Sequence, residues 1–237
     1  MWQHSSPSAV RRGCRATSDR VGMDHFDTWQ LIALATALGW ASGIRLYAVL
    51  FIVGAVGYAG WFDLPQHLQI LAHPMVLAAS GFMVFAEFFA DKIPGVDTVW
   101  DVVHTVIRIP AGAALAAGVF GDSPPAWTLA AAIVGGTLAA GSHFTKAGTR
   151  AVINTSPEPI SNWVASIGED LLAGALVYLA LAYPFVALAV VVLLVAFSIW
   201  LVPKLWRFIR AIIERIGRWF ANASSSNGNA PGKRRDV

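Results

Sequence analysis

The chain has 237 residues, 56% of them hydrophobic and only 13% charged, with a mean hydropathy of +0.58. Soluble domains carry about 25% charged residues, so halved charge and long apolar runs exclude an ordinary soluble domain and point to an integral membrane protein. The net charge of +3 sits mostly in the two tails, which argues membrane topology over nucleic-acid binding; Cys14, the lone cysteine, excludes an internal disulfide and a cysteine-based metal site.

Residues 1–23 read as a disordered basic arm with Arg11, Arg12, Arg15 and Arg20. No apolar region follows directly, so a signal peptide fits poorly, and translation starting at Met23 fits better. The transmembrane domain is expected over 24–203. Its first apolar segment, Thr28 to Gly60, would be about 50 Å long as one helix, against a hydrocarbon core of about 30 Å. The Ala41-Ser42-Gly43 run followed by Arg45 predicts a break near Gly43. The first half would then lie obliquely or at the interface, and the second half would cross. The plainer alternative is one long tilted helix with Arg45 packed against a carboxylate.

A loop, Trp61 to His73, precedes a second span at Pro74 to Ala90. The third span, Val99 to Phe120, is entered through the Pro94-Gly95 turn signal. Glu87 and Asp91 share one helical face. Asp97, Asp101, His104 and Arg108 fall at i, i+4, i+7 and i+11, also one face. A fourth span, Ala126 to Ile153, ends with His143, Lys146 and Arg150. A fifth, Ile160 to Ala182, carries Glu169 and Asp170. The sixth, Phe185 to Leu201, is almost purely apolar. Residues 204–220 read as a basic amphipathic helix on anionic lipid head groups, and 221–237 as a disordered tail.

The expected fold is therefore all-α: a polytopic membrane helical bundle of about six transmembrane helices with a broken first helix. PGVDTVW (Pro94 to Trp100) overlays on PEPISNW (Pro157 to Trp163), which suggests two repeated helical hairpins, spans two–three and four–five. Lys and Arg fall on one side of such a bundle, so the positive-inside rule places both termini in the cytoplasm. The expected partners are the bilayer and its anionic head groups, not nucleic acid, and self-association into a homo-oligomer is compatible with the bundle.

Charges in spans are expensive. Arg45, Glu87, Arg108, Glu169 and Asp170 would cost roughly 10–15 kcal/mol if deep and unpaired. They must pair, reach a wet cavity or lie near an interface, and Lys146 and Arg150 are placed to meet Glu87 and Asp91. Buried ion pairs that only fix helix register would satisfy the same need. Three functional readings follow. In a transporter, Asp97, Asp101 and His104 line a path beside Arg45. In a Mg²⁺-dependent membrane enzyme, Asp91, Asp97 and Asp101 hold cations while Lys146 and Arg150 hold a diphosphate. In a scaffold, the polar side docks a partner. P-loop, GxSxG and zinc signatures are absent, and the residues name no cofactor.

The blocks GWASGIRLYAVLF (Gly39 to Phe51), EFFADKIPGVDTVWDVVHTVIRIPAGA (Glu87 to Ala113), HFTKAGTRAVINTSPEPISNWVASIGED (His143 to Asp170) and LVPKLWR (Leu201 to Arg207) resemble a family of bacterial integral membrane proteins, the domain of unknown function 4126 family. The resemblance spans about Asp24 to Arg218 and fits a start near Met23. It implies residence in a bacterial inner membrane and brings no catalytic residues with it.

Overall fold

The computed structural model describes residues 27–93, 95–155 and 159–228. These contain six α-helices and one 3-10 segment and no strand: α1 (Thr28–Tyr58), the 3-10 segment (Gln66–Ala72), α2 (Pro74–Ala90), α3 (Val96–Val119), α4 (Pro125–Ile153), α5 (Pro159–Ala182) and α6 (Pro184–Gly228). Local chemistry sets the helix starts. Proline begins α2, α4, α5 and α6, where its missing N–H costs nothing. The His73 ring accepts the Met75 N–H at 3.2 Å to cap α2. Gly95, at φ +88°, supplies the left-handed residue that turns the chain into α3.

The long first segment is not one straight helix. Arg45 leaves helical geometry at φ −140°, ψ 70°, and the chain folds back there. Before the break, α1 runs beside α4 in the same direction. A Cβ on Gly39 would sit 2.8 Å from Gly135, Ser142 Oγ donates to the Trp40 carbonyl at 2.7 Å, and Lys146 Nζ donates to the Ile44 carbonyl at 3.2 Å. After the break, α1 runs against α2 in the opposite direction, with Gly81 on Phe51, Gly54 on Leu71 and Leu77, and Gly57 on Leu64 and Ala72. Both α2 and α4 run antiparallel to α3. The two ends of α1 therefore share one end of the bundle. His67 lies 3.6 Å from Asp122 and Phe120 stacks on Trp127 there. We call it the Asp122 end and the opposite one the Asp97 end. α1 is thus a helical hairpin, buried on most sides from Ala33 to Leu46.

The helix directions do not show the expected six crossings or both termini on one side, because α1 begins and ends at the Asp122 end. Helices α2 to α6 run the length of the bundle, so Thr28 lies at the Asp122 end and the basic stretch of α6 at the Asp97 end. By length and apolarity alone, α1, α3, α5 and α6 could cross a membrane, and the 3-10 segment with α2, bent by 67°, makes a fifth. The sequence reading takes Trp61 to His73 as plain loop; its second half is that 3-10 segment. The expected hairpins are not the packing units either. α2 touches α3 little and α4 touches α5 little, whereas α3 lies along α4 and both lie on α1. Gly112 with Ala116 and Gly135 with Ala139 let those backbones approach, as small residues four apart do in membranes. The PGVDTVW–PEPISNW overlay includes Pro94, Pro157 and Glu158, outside the described residues, as is the arm over 1–23.

One helix runs from Pro184 through Pro203 to Gly228, so the basic stretch from Lys204 continues α6 and the helix extends past 221, where the tail was expected to begin; residues 229–237 lie outside the described set. At 1.5 Å per residue, α6 is about 67 Å long and projects beyond the bundle at the Asp97 end. Phe82, Leu129, Ile133, Leu193 and Ile199 are among many large apolar side chains exposed on the bundle's flank, the surface that lipid tails cover.

The fold-back has a direct test. In a Cys14→Ser background, cysteines at Trp29, Gln66 and Asp122 are expected to react with an impermeant thiol reagent from one side of sealed vesicles, and one at Arg210 from the other. Trp29 and Arg210 labelled from the same side would restore α1 as a crossing helix.

Candidate functional site

The apex of the α1 hairpin sits in a cluster of buried charge. Arg45 pairs with Asp91, lies 3.7 Å from Glu87 and 3.4 Å from Glu169, and brings Nε to 2.9 Å from Asp170. It also donates to Ser166 Oγ at 2.7 Å and to the Ser166 carbonyl at 3.0 Å. Arg108, on α3, pairs with Glu87 and with Asp101 at 2.7 Å. Lys146, on α4, lies 3.3 Å from Asp91 and Asp101 and 3.5 Å from Glu87 and Glu169. Arg150 makes a bidentate contact to Glu169 at 3.1 and 3.0 Å and lies 3.7 Å from Asp91.

Helical periodicity explains the convergence. Glu87 and Asp91 close α2, Asp101 and Arg108 share one face of α3, Lys146 and Arg150 share one face of α4, and Ser166, Glu169 and Asp170 share one face of α5. The broken α1 brings Arg45 among them. The break also frees the Ile44 carbonyl, which Lys146 takes up, so the backbone cost of the kink is met by the same side chain that bridges the acids. Asp170 is the exposed edge of the cluster, at 37% side-chain exposure against 2% or less for Arg45, Glu87, Asp91, Asp101, Arg108, Lys146 and Arg150.

Nine of the eleven expected site residues thus meet. Asp97 and His104 do not. Asp97 accepts the Gly95 and Thr98 N–H groups at 2.9 and 2.7 Å and holds Asn154 Nδ2 at 2.9 Å. It reaches the cluster only through a relay, because Asn162 Nδ2 donates to Asn154 Oδ1 at 2.8 Å while Arg150 donates to the Asn162 carbonyl at 3.1 Å. His104 shares a hydrogen bond with the Trp100 carbonyl at 2.8 Å, stacks on Trp100 and meets Tyr47 edge-on. His143, on α4, is the histidine that stands beside Arg108. It lies 3.3 Å from Arg108 and 2.7 Å from Thr105 Oγ1. Its spacing of three and seven to Lys146 and Arg150 was the available signal. Asn154, Asn162 and Ser166 also went unnoticed, since neutral residues leave no mark in a charge pattern.

Lys92 lies in the α2–α3 turn over the Phe88 ring and donates to the Phe88 carbonyl at 3.2 Å. Burial pushes its pKa below the ordinary lysine value, with Asp170 acting against that shift. Asp91 and Asp101 are engaged with cations and Asp97 with Asn154, and among the described residues no three His, Cys, Asp or Glu side chains are grouped to hold a metal ion. Lys146 and Arg150, which the enzyme reading assigns to a diphosphate, are taken up by carboxylates.

Long apolar helices around a buried ionic cluster, with an apolar flank, define a multi-pass membrane protein. The chain belongs to the family described as Domain of unknown function (DUF4126), whose model matches residues 32–204. That span takes in α1 from Ile32 onward, the whole cluster and α6 as far as Lys204. No curated protein and no solved structure matches the chain.

Proposed function

We propose that the protein is a carrier that moves a small ion or polar solute through its charged interior. The observation behind this reading is the position of the Lys146 ammonium, within 3.5 Å of Glu87, Asp91, Asp101 and Glu169 on three different helices. One cation with four alternative acceptors can change partner without crossing unpaired space, which a register-fixing ion pair does not require. Asp170 is the exposed edge of the route, Arg45 and Glu169 follow, and Asp101, Arg108 and His143 form its far side. Asp97 and His104 flank it. The hairpin apex adds a freed backbone carbonyl, as discontinuous helices do where they line a site.

For orientation we propose a bacterial inner membrane with the Asp97 end in the cytoplasm. The supporting feature is Lys and Arg: Lys92 and the 204–218 stretch of α6 lie at that end, and the Asp122-end connections at 61–73, 121–125 and 183–184 have none. Lys204, Arg207, Arg210, Arg215 and Arg218 then meet anionic head groups.

Purified protein in liposomes is expected to carry a cation or proton flux that Asp101→Asn abolishes or shifts in pH dependence, while the variant still inserts and folds. Equal flux in wild type and variant, or none in wild type across a broad ion panel, would falsify the carrier reading. Retention of a soluble protein by the silent wild type would then favour a scaffold.

A further inference from the structure

A second site lies beside the cluster, between α3, α4 and α6. It is a cleft of about 390 Å³, within the range of small-molecule pockets. Val102, Phe144, Ala147, Ala151, Leu205 and Trp206 make its walls apolar. Asp101 also lines it. That carboxylate is 1% exposed. Its Oδ1 faces Arg108 at 2.7 Å and Lys146 at 3.3 Å, while its Oδ2 is buried and accepts no hydrogen bond among the described residues. A buried acceptor left without a donor is costly, so a ligand that supplies one is favoured here.

Charge narrows the ligand. Within the polar interior Arg45, Lys92, Arg108, Lys146 and Arg150 face Glu87, Asp91, Asp97, Asp101, Glu169 and Asp170, which leaves one negative charge over when all are ionised. The nearby cations of α6 are engaged elsewhere. Lys204 lies over the Trp200 ring at 3.2 Å, Arg207 donates to the Pro203 carbonyl at 3.3 Å, and Arg210 pairs with Glu214 at 2.9 Å. A single positive charge on an N–H donor satisfies both the orphan oxygen and the excess charge, and the apolar walls accept a hydrocarbon chain. Phe144 and Trp206, half or more exposed, flank an opening on the lipid-facing side of the bundle.

We propose that this cleft binds an ammonium-headed amphiphile, its head on Asp101 Oδ2 and its chain between α4 and α6. The site stands whether or not the ionic cluster conducts. The test uses the full chain in detergent micelles and native mass spectrometry with dodecylamine as probe. One dodecylamine per chain is expected, with dodecanol and ethylamine each bound at least tenfold more weakly. Ala151→Phe fills the cleft without touching a charged residue and is expected to weaken dodecylamine at least tenfold, as is Asp101→Asn. Should Asp101→Asn fail to fold, Ala151→Phe still decides. Equal binding of dodecanol would overturn the role of the charge, and equal binding of ethylamine the role of the chain. Undiminished or unsaturable binding to Ala151→Phe would reduce the effect to micelle partitioning and overturn the site.

Discussion

Replacing Arg45 by Met is expected to destabilise the protein by about 3–5 kcal/mol, the cost of leaving buried charges without their partner. The guanidinium is within ion-pair reach of Asp91, Glu87, Glu169 and Asp170 and makes two hydrogen bonds to Ser166. Methionine keeps much of the side-chain volume, so the loss reports charge more than cavity. Glu87 would keep Arg108 and Lys146, and Asp91 and Glu169 would lean on Lys146 and Arg150, while Asp170 would lose its ion pair with Arg45, so at least one carboxylate must take up a proton or water. Arg45→Lys restores the charge but not the fork that spans Asp170 on one side and Asp91 on the other, so partial recovery is expected. Unfolding of the purified variants in mixed micelles measures both. An Arg45→Met protein as stable as wild type would mean that the apex charge does not hold the hairpin in place.

The second large effect is steric. Gly43 lies two residues before the break, where α1 meets α4. A Cβ there would collide with Ser142 Oγ and with the Ala139 carbonyl, and a backbone atom cannot swing aside as a flexible side chain can. Gly43→Val is expected to push the first half of α1 off α4, with a cost at or above the 1–3 kcal/mol typical of overpacking. The same displacement would draw the Ile44 carbonyl away from Lys146. Gly141→Ala, on α4, is the matched control. Its Cβ would meet nothing within 4 Å, and alanine is favoured over glycine in a helix by about 1 kcal/mol. Stability should therefore fall sharply in one variant and hold or rise in the other. Equal stability of the two would show that the α1–α4 contact is looser than described.

Helix positions were legible in the sequence because apolar runs end at proline and glycine. α2 was expected at Pro74 to Ala90 and is found there, and α3, α4 and α5 differ by at most three residues at either end. The break in α1 was legible from Gly43 and Arg45, and the meeting of Glu87 and Asp91 with Lys146 and Arg150 from the cost of burying unpaired charge. The direction of the chain after Arg45 was not. An apolar run reads the same whether it continues across a bilayer or returns, since what turns it back is packing against α2 and against α4, whose contacts with α1 join residues 102 apart in the chain. Proline removes one helical hydrogen bond, and a long apolar helix packed on α4 and α5 tolerates that loss, so α6 runs on through Pro203. Asp97 looked like part of a stripe by spacing alone, yet its first-turn backbone amides and Asn154 claim it.

The hairpin apex also sets a timetable for biogenesis. Arg45 and Ser166, which hydrogen-bond to each other, are 121 residues apart, and Glu169 and Asp170 come later still. At translation rates of about 5–20 residues per second, the interval is on the order of ten seconds. Through that interval the nascent chain holds a cationic apex whose full set of counter-ions has not yet been synthesised. α1 therefore leaves the ribosome well before α5, and its final seating waits for that helix.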